Sequence, residues 1–218
     1  MEYKLRRPIV IFSDMDGCIS PKQKIWYEEP QEIRAQRYLS GELGPLLIPR
    51  DRQLKVMKPI CDYDSGTISL IRKLKQVELV FISGDDKINK LYAERQSIPF
   101  ISTGAVKHSD KWEHLVEYWE ENYSGEPNGR YVYIGDSMPD FHCLMRSGIG
   151  FTPHSCSKLL RMGLETEGVS DQGNPAYPPH IHRLMSKGGD GVLEEVLVNL
   201  IEMGKIQKRS VLKRLGVR

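Results

Sequence analysis

Five short apolar runs punctuate the chain: Ile9–Ser13, Glu78–Ser83, Phe100–Ser102, Tyr131–Gly135 and Ile149–Thr152. Most are apolar at consecutive rather than alternate positions, the pattern of parallel strands covered on both faces. Between them the apolar residues fall into helical spacing. This predicts helices over Ser65–Lys75, Lys87–Gln96, Lys111–Asn122 and Gly191–Met203, with shorter ones at Asp140–Arg146 and Ser157–Met162. Strand–helix alternation builds βαβ units with right-handed crossovers. The fold expected is α/β, a Rossmann-like three-layer sandwich around a parallel central sheet.

Residues 18–62 break the alternation. They hold five prolines (Pro21, Pro30, Pro45, Pro49 and Pro59) and little sustained periodicity. They read as a small flap or hairpin insertion after the first strand, with a short helix at Gln31–Leu39 opened by Pro30. The expected organisation is one domain over residues 1–204, carrying that insertion, and a basic tail over 205–218.

Composition adds little to this picture. The chain is 39% hydrophobic and 28% charged, which excludes disordered and fibrous classes. No apolar run approaches the ~20 residues of a membrane span. Acidic Asp14 and Asp16 interrupt the first apolar stretch before any small-residue cleavage site, so a cytoplasmic protein without a signal peptide is expected. Four cysteines, Cys18, Cys61, Cys143 and Cys156, form no C-x-x-C pair and are read as reduced thiols, two or three of them buried. The net charge of +2 is uneven: residues 204–218 carry six Lys/Arg and no acid, leaving 25 basic against 29 acidic residues elsewhere. Such a tail either meets an anion or is a solvated end.

Ligands of an open parallel sheet sit at the carboxyl ends of its strands. The first strand ends in Asp14-Met15-Asp16-Gly17 and the second in Ser83-Gly84-Asp85-Asp86. The third runs into Thr103-Gly104, with Lys107 and Lys111 beyond. The fourth ends in Gly135-Asp136-Ser137, followed by Asp140. Carboxylates that converge repel one another unless a cation joins them, and oxygen-only ligands suit Mg²⁺. A second D-x-D, Asp62-Tyr63-Asp64, precedes a helix, where Asp64 reads as an N-cap. His180-x-His182 follows two prolines and reads as a loop or helix start rather than a metal pair. Trp112 and Trp119, seven apart, read as packing residues, and Cys18 as a small apolar filler.

IVIFSDMDGCIS resembles the first motif of the haloacid dehalogenase (HAD) superfamily, VFISG the second, Lys111 or Lys107 the third, and YIGDSMPD the fourth. Within it, KGGDGVLEEVLVNLIEMGK and GDSMPDFHCLMRSGIGFTPHSC resemble the capless subfamily of 3-deoxy-D-manno-octulosonate (KDO) 8-phosphate phosphatases. The likeness covers residues 8–17 and about 64–204, and residues 18–62 only poorly. It implies an Mg²⁺-dependent phosphatase acting on a small phosphorylated metabolite. Asp14 would be the nucleophile and Asp16 the general acid–base. Ser83, Gly84 and Lys111 would bind phosphate. The metal would be held by Asp14, Asp136 and the Asp16 backbone carbonyl, with Asp140 orienting it from behind. The chemistry suits these residues: a carboxylate is ionised at neutral pH and needs only charge cancellation to attack a phosphate dianion, while a poor alkoxide leaving group needs a proton. Lys111 precedes a helix and is favoured over Lys107, which lies closer to the strand end.

Residues 18–62 are too few for a full cap domain, so the site should be open. Capless relatives cover theirs by forming tetramers, which makes a homotetramer with 18–62 in its interface the expectation; the tail could serve as a cover too. Relatives also carry arginines where this chain has Asp85 and Asp190. That reversal favours a neutral or amino sugar phosphate or a nucleotide over a sugar acid, unless both aspartates face solvent or pair with lysines. The rival readings are a phosphotransferase or mutase with the same intermediate, a phosphorylated receiver, and a phosphate- or nucleic-acid-binding module using the tail. A receiver needs its aspartate on the third strand, where Thr103-Gly104 stands, and nucleic acid is not the expected partner.

Overall fold

The computed structural model describes residues 8–21, 25–27, 55–57, 60–85, 88–104, 111–168 and 176–217. Six strands form one parallel sheet: β1 (Ile9–Asp14), β4 (Val77–Ser83), β5 (Phe100–Ser102), β6 (Val132–Ile134), β7 (Ile149–Thr152) and β8 (Ile181–Arg183). Their spatial order is β5-β4-β1-β6-β7-β8. All five ladders are parallel. The chain winds outward from β1 through β4 to β5, returns to the other side of β1, and winds outward again. The reversal leaves a crevice between β1 and β6 at their carboxyl ends.

Consecutive apolar positions in the strands serve two cores. Ile11, Leu79 and Phe81 pack on one face with Ile68, Val196 and Leu200. Val10, Phe12, Val80 and Ile82 pack on the other with Leu115, Trp119, Tyr133 and Leu160. Each such side chain contributes about 1.5–3 kcal/mol when fully buried, so neither layer is dispensable. The first face is covered by helices α1 (Asp62–Ile71), α2 (Ile88–Gln96) and α6 (Val192–Glu202), the second by α3 (Lys111–Asn122), α4 (Phe141–Arg146) and α5 (Lys158–Glu167). Trp119 stacks on Tyr123 with centroids 4.6 Å apart, and Trp112 lies under the Arg146 guanidinium at 4.8 Å, both packing roles. Cys18, Cys143 and Cys156 are buried and Cys61 is half-buried, and none of the four is in a disulfide.

Four expectations change. His180-x-His182 leads into strand β8, whose Gly150↔Ile181 pairing to β7 adds an edge to the sheet; Ile181-His182-Arg183 offers a single apolar position and so no strand signal. Asp64 does not cap its own helix. Cys61 is the N-cap of α1, and the Asp64 carboxylate instead accepts Leu193 N–H at 2.7 Å, capping α6 across the core. The short helix expected at Ser157–Met162 runs on to Glu167. The basic tail is not a solvated end either. It contains a helix, α7 (Lys208–Arg214), and Ile206 (1% exposed) and Val211 (5%) join the core.

The tail also starts far from the strands' carboxyl ends. An open cleft of about 730 Å³ at the amino ends is lined by Ile9, Tyr131, Ile149, Leu200 and Lys205, so α6 has crossed the sheet before the tail begins. Within residues 18–62, β2 (Ile25–Tyr27) and β3 (Lys55–Met57) pair antiparallel. The helix expected at Gln31–Leu39 lies outside the described residues. No described helix is long and apolar enough to cross a membrane.

Candidate active site

Asp14 is the last residue of β1, beside the crevice. Its Oδ1 accepts Met15 N–H at 2.7 Å, and its Oδ2 is 2.8 Å from Lys111 Nζ. Lys111 opens α3 and is buried. Its ammonium also meets Asp140 Oδ1 at 2.9 Å, so one lysine is clamped between two buried carboxylates. Lys107, its competitor in the sequence, lies outside the described residues.

Asp140 closes the turn that follows β6 and is fully buried. Its Oδ1 also accepts Tyr133 O–H at 2.9 Å. Its Oδ2 accepts Asp136 N–H, Ser137 N–H and Ser137 O–H, each at 3.0 Å. With five donors on two oxygens, Asp140 organises the Asp136–Ser137 loop and orients Lys111. Gly135 permits this closure: a Cβ there would lie 2.4 Å from Asp140 Cβ. Asp136 is buried, and ligand oxygens of Asp14, Asp136 and Asp140 lie within 4.8 Å of one another.

Clamping one ammonium between two buried carboxylates perturbs Asp14, Asp140 and Lys111 alike. Burial, with the charges of Asp140 and Asp136 added, pushes the Asp14 carboxyl up to about 8 despite Lys111. Burial also penalises charge on Asp140, but Lys111, Tyr133 and Ser137 outweigh it and hold its carboxyl below the usual 3.8. Lys111 loses hydration, yet Asp14 and Asp140 raise its pKa well above that of a free lysine.

On the side of β1 away from β6, Ser83 ends β4 and is buried. Its Oγ accepts Asp85 N–H at 3.2 Å and Asn89 Nδ2–H at 2.8 Å. Asn89 also donates to Asp16 Oδ2 at 3.0 Å, and Ser20 O–H reaches Asp16 Oδ1 at 3.5 Å. The Asp16 carboxylate therefore belongs to a different group of contacts from the three clustered acids. Asn89 was missed by the sequence reading, because a polar residue in the first turn of a helix resembles any exposed amide. Only its place on the buried face, one helical turn before Ala93, could have marked it. Gly84 is exposed beside Ser83, and a Cβ there would come within 2.9 Å of Gly104 O.

Of the two aspartates expected at the rim, Asp85 accepts Ile88 N–H at 3.0 Å through Oδ1, fixing the start of α2, whereas Asp190 is exposed. The Asp190 loop sits against the site turn. Gly189 N–H donates to Cys18 O at 2.7 Å, and a Cβ on Gly188 would overlap Gly17 O at 2.0 Å.

No protein-family model and no curated protein matches this sequence. Solved structures do match. KDO 8-phosphate phosphatase from Moraxella catarrhalis, solved with magnesium, phosphate and KDO, superposes with a TM-score of 0.59 at 18% identity, covering 89% of this chain and 86% of that one. The enzyme from Yersinia pestis gives 0.57 at 19% identity over 91% and 83%. The cobalt-bound deoxy-D-mannose-octulosonate 8-phosphate phosphatase from Haemophilus influenzae gives 0.57 at 14% identity over 90% and 88%. The strand order and the layers on both faces of the sheet therefore belong to an architecture seen in several phosphatases, and this chain has the Rossmann-like fold of the HAD hydrolases.

Proposed function

We propose that the protein is an Mg²⁺-dependent phosphomonoesterase that hydrolyses a small organophosphate through an aspartyl-phosphate on Asp14. The observation that carries this reading is the clamp at the topological switch point. There a buried lysine is shared by a strand-end aspartate and an organising aspartate, opposite a buried serine hydroxyl and a second aspartate. The similar solved phosphatases, bound to magnesium or cobalt, support it.

The donor set fits a hard divalent cation: three buried carboxylates within 4.8 Å, and no nitrogen or sulfur among them. Asp14 and Asp136 would hold it, because the Asp140 oxygens are already engaged by five donors. Bound there, a cation supplies charge cancellation between the Asp14 carboxylate and the phosphate dianion.

The residues then divide the work. Lys111 and Ser83 bind phosphoryl oxygens. Asp14 attacks phosphorus, its new O–P bond forming as the ester P–O bond breaks. Asp16 gives its proton to the departing alkoxide. The Asp16 carboxylate next takes a proton from water as that water attacks the acyl-phosphate, and inorganic phosphate leaves with Asp14 restored. Acid–base help of this kind is worth ~10²–10⁴-fold.

The substrate class is a sugar phosphate, a sugar-acid phosphate or a nucleotide, and the aspartates at positions 85 and 190 favour one without a carboxylate. A homo-oligomer, a tetramer with residues 18–62 in its interface, would cover the open crevice and exclude water. The test is phosphate release from a panel of phosphorylated sugars, sugar acids and nucleotides, with Mg²⁺ and with excess chelator. Chelator-sensitive release from at least one ester is expected. Release that persists in chelator would refute the role given to Asp136.

A further inference from the structure

Helix α2 buries only Asn89 and Ala93. A helix that gives one of its two buried positions to an amide spends burial on a polar group, which is costly unless hydrogen bonds return the energy. Asn89 is 1% exposed, and its amide nitrogen uses two donors at once: Asp16 Oδ2 at 3.0 Å and Ser83 Oγ at 2.8 Å. The chemistry fixes the orientation of the amide, since turning it over would set its carbonyl oxygen against the Asp16 carboxylate. The side chain thus ties the turn after β1 to the end of β4.

The tie has two consequences. The Asp16 carboxyl is held in one orientation by the Asn89 hydrogen bond to its Oδ2. Ser83 Oγ, accepting from Asn89 and from Asp85 N–H, has both lone pairs occupied. A hydroxyl has two lone pairs and one hydrogen, so Ser83 is left to act as a donor, the polarity a phosphoryl oxygen needs. We infer that Asn89 is a positioning residue for the proposed reaction, aiming the general acid Asp16 and setting the Ser83 hydroxyl to donate. The inference rests on the phosphomonoesterase reading above.

The test separates positioning from mere structure through the leaving group. Asp16 matters most where the departing oxygen is a poor leaving group, whereas Ser83 acts on every ester alike. Asn89→Ala should lower kcat/KM for a sugar 6-phosphate on the order of 10²-fold, and for p-nitrophenyl phosphate about 10-fold or less. kcat/KM omits the later water step, so the ratio reports the acid alone. Because alanine leaves a void under α2, Asn89→Asp is measured beside it. It has the same shape but turns an acceptor towards Asp16, and should show the same selectivity with a larger loss. Equal losses on both esters, or losses below about 3-fold on both, would overturn the inference. A wild-type protein that releases phosphate from neither ester would instead overturn the phosphatase reading, and the inference with it.

Discussion

Asp140→Asn changes one atom in a buried carboxylate that accepts five donors. In the wild type, Oδ2 accepts three donors and Oδ1 two. If the new amide group points at the Asp136–Ser137 loop, it faces two backbone N–H groups and a hydroxyl, and orphans at least the two N–H groups at about 1–3 kcal/mol each. If it points the other way, it sets an N–H₂ against the Lys111 ammonium and strips that lysine of one of its two carboxylates. Asp14 still pairs with Lys111, so the cost stays below the full ~3–5 kcal/mol of a broken buried pair. Either orientation gives a loss of about 3 kcal/mol, and a Tm lower by about 10 °C for a chain of this size. The assay is urea unfolding followed by tryptophan fluorescence, repeated across pH. The folded Asp140 carboxyl is held below its usual 3.8, so its contribution is fully present above that value and is lost as pH falls through the depressed one. The gap between wild type and variant should therefore shrink in strong acid, and it should also narrow as the pH rises through the range in which Asp14 titrates, because the variant lacks the Asp140 charge that helps raise the Asp14 carboxyl. A loss under about 1 kcal/mol at pH 7 would show that the five bonds do not organise the loop.

Mg²⁺ binding should release protons. Burial and the neighbouring carboxylates push Asp14 up to about 8, and a bound cation needs it ionised, so up to about one proton should leave at pH 7, fading as the pH rises, as read by calorimetry in buffers of differing ionisation enthalpy. No release at pH 7 would contradict that raised value. Val211→Asp should destabilise the protein by about 3 kcal/mol, because it places an unpaired charge in the core; a neutral effect would mean that α7 is not docked. Light scattering at micromolar concentration should give a mass above that of the 25.0 kDa chain, and a monomer would leave the crevice without the proposed cover.

The strands that position the site were legible because burial on both faces forces consecutive apolar residues, a signal five or six residues long. The helix Lys111–Asn122 was read to its ends, since Trp112, Leu115 and Trp119 mark one face and Lys111 stands at its start. What stayed hidden depends on tertiary contacts. Asp64 looks like any helix-start aspartate until Leu193 is brought to it from 129 residues away. Asn89 shows no chemistry until Asp16 and Ser83 converge on it. Strand β8 is three residues long and exists because β7 offers it a ladder. In the tail, six basic residues masked the apolar pair Ile206 and Val211 that docks it.

The most direct test of the account is to trap the covalent intermediate. Wild-type protein is quenched in acid during turnover of a ³²P-labelled ester that it cleaves, digested, and the labelled peptide sequenced. One hydroxylamine-sensitive label is expected on Asp14, absent in Asp14→Asn, which should also lose at least ~10³-fold in turnover, as expected for removing a covalent nucleophile. Label on any other residue, or an Asp14→Asn protein that keeps most of its activity, would contradict it.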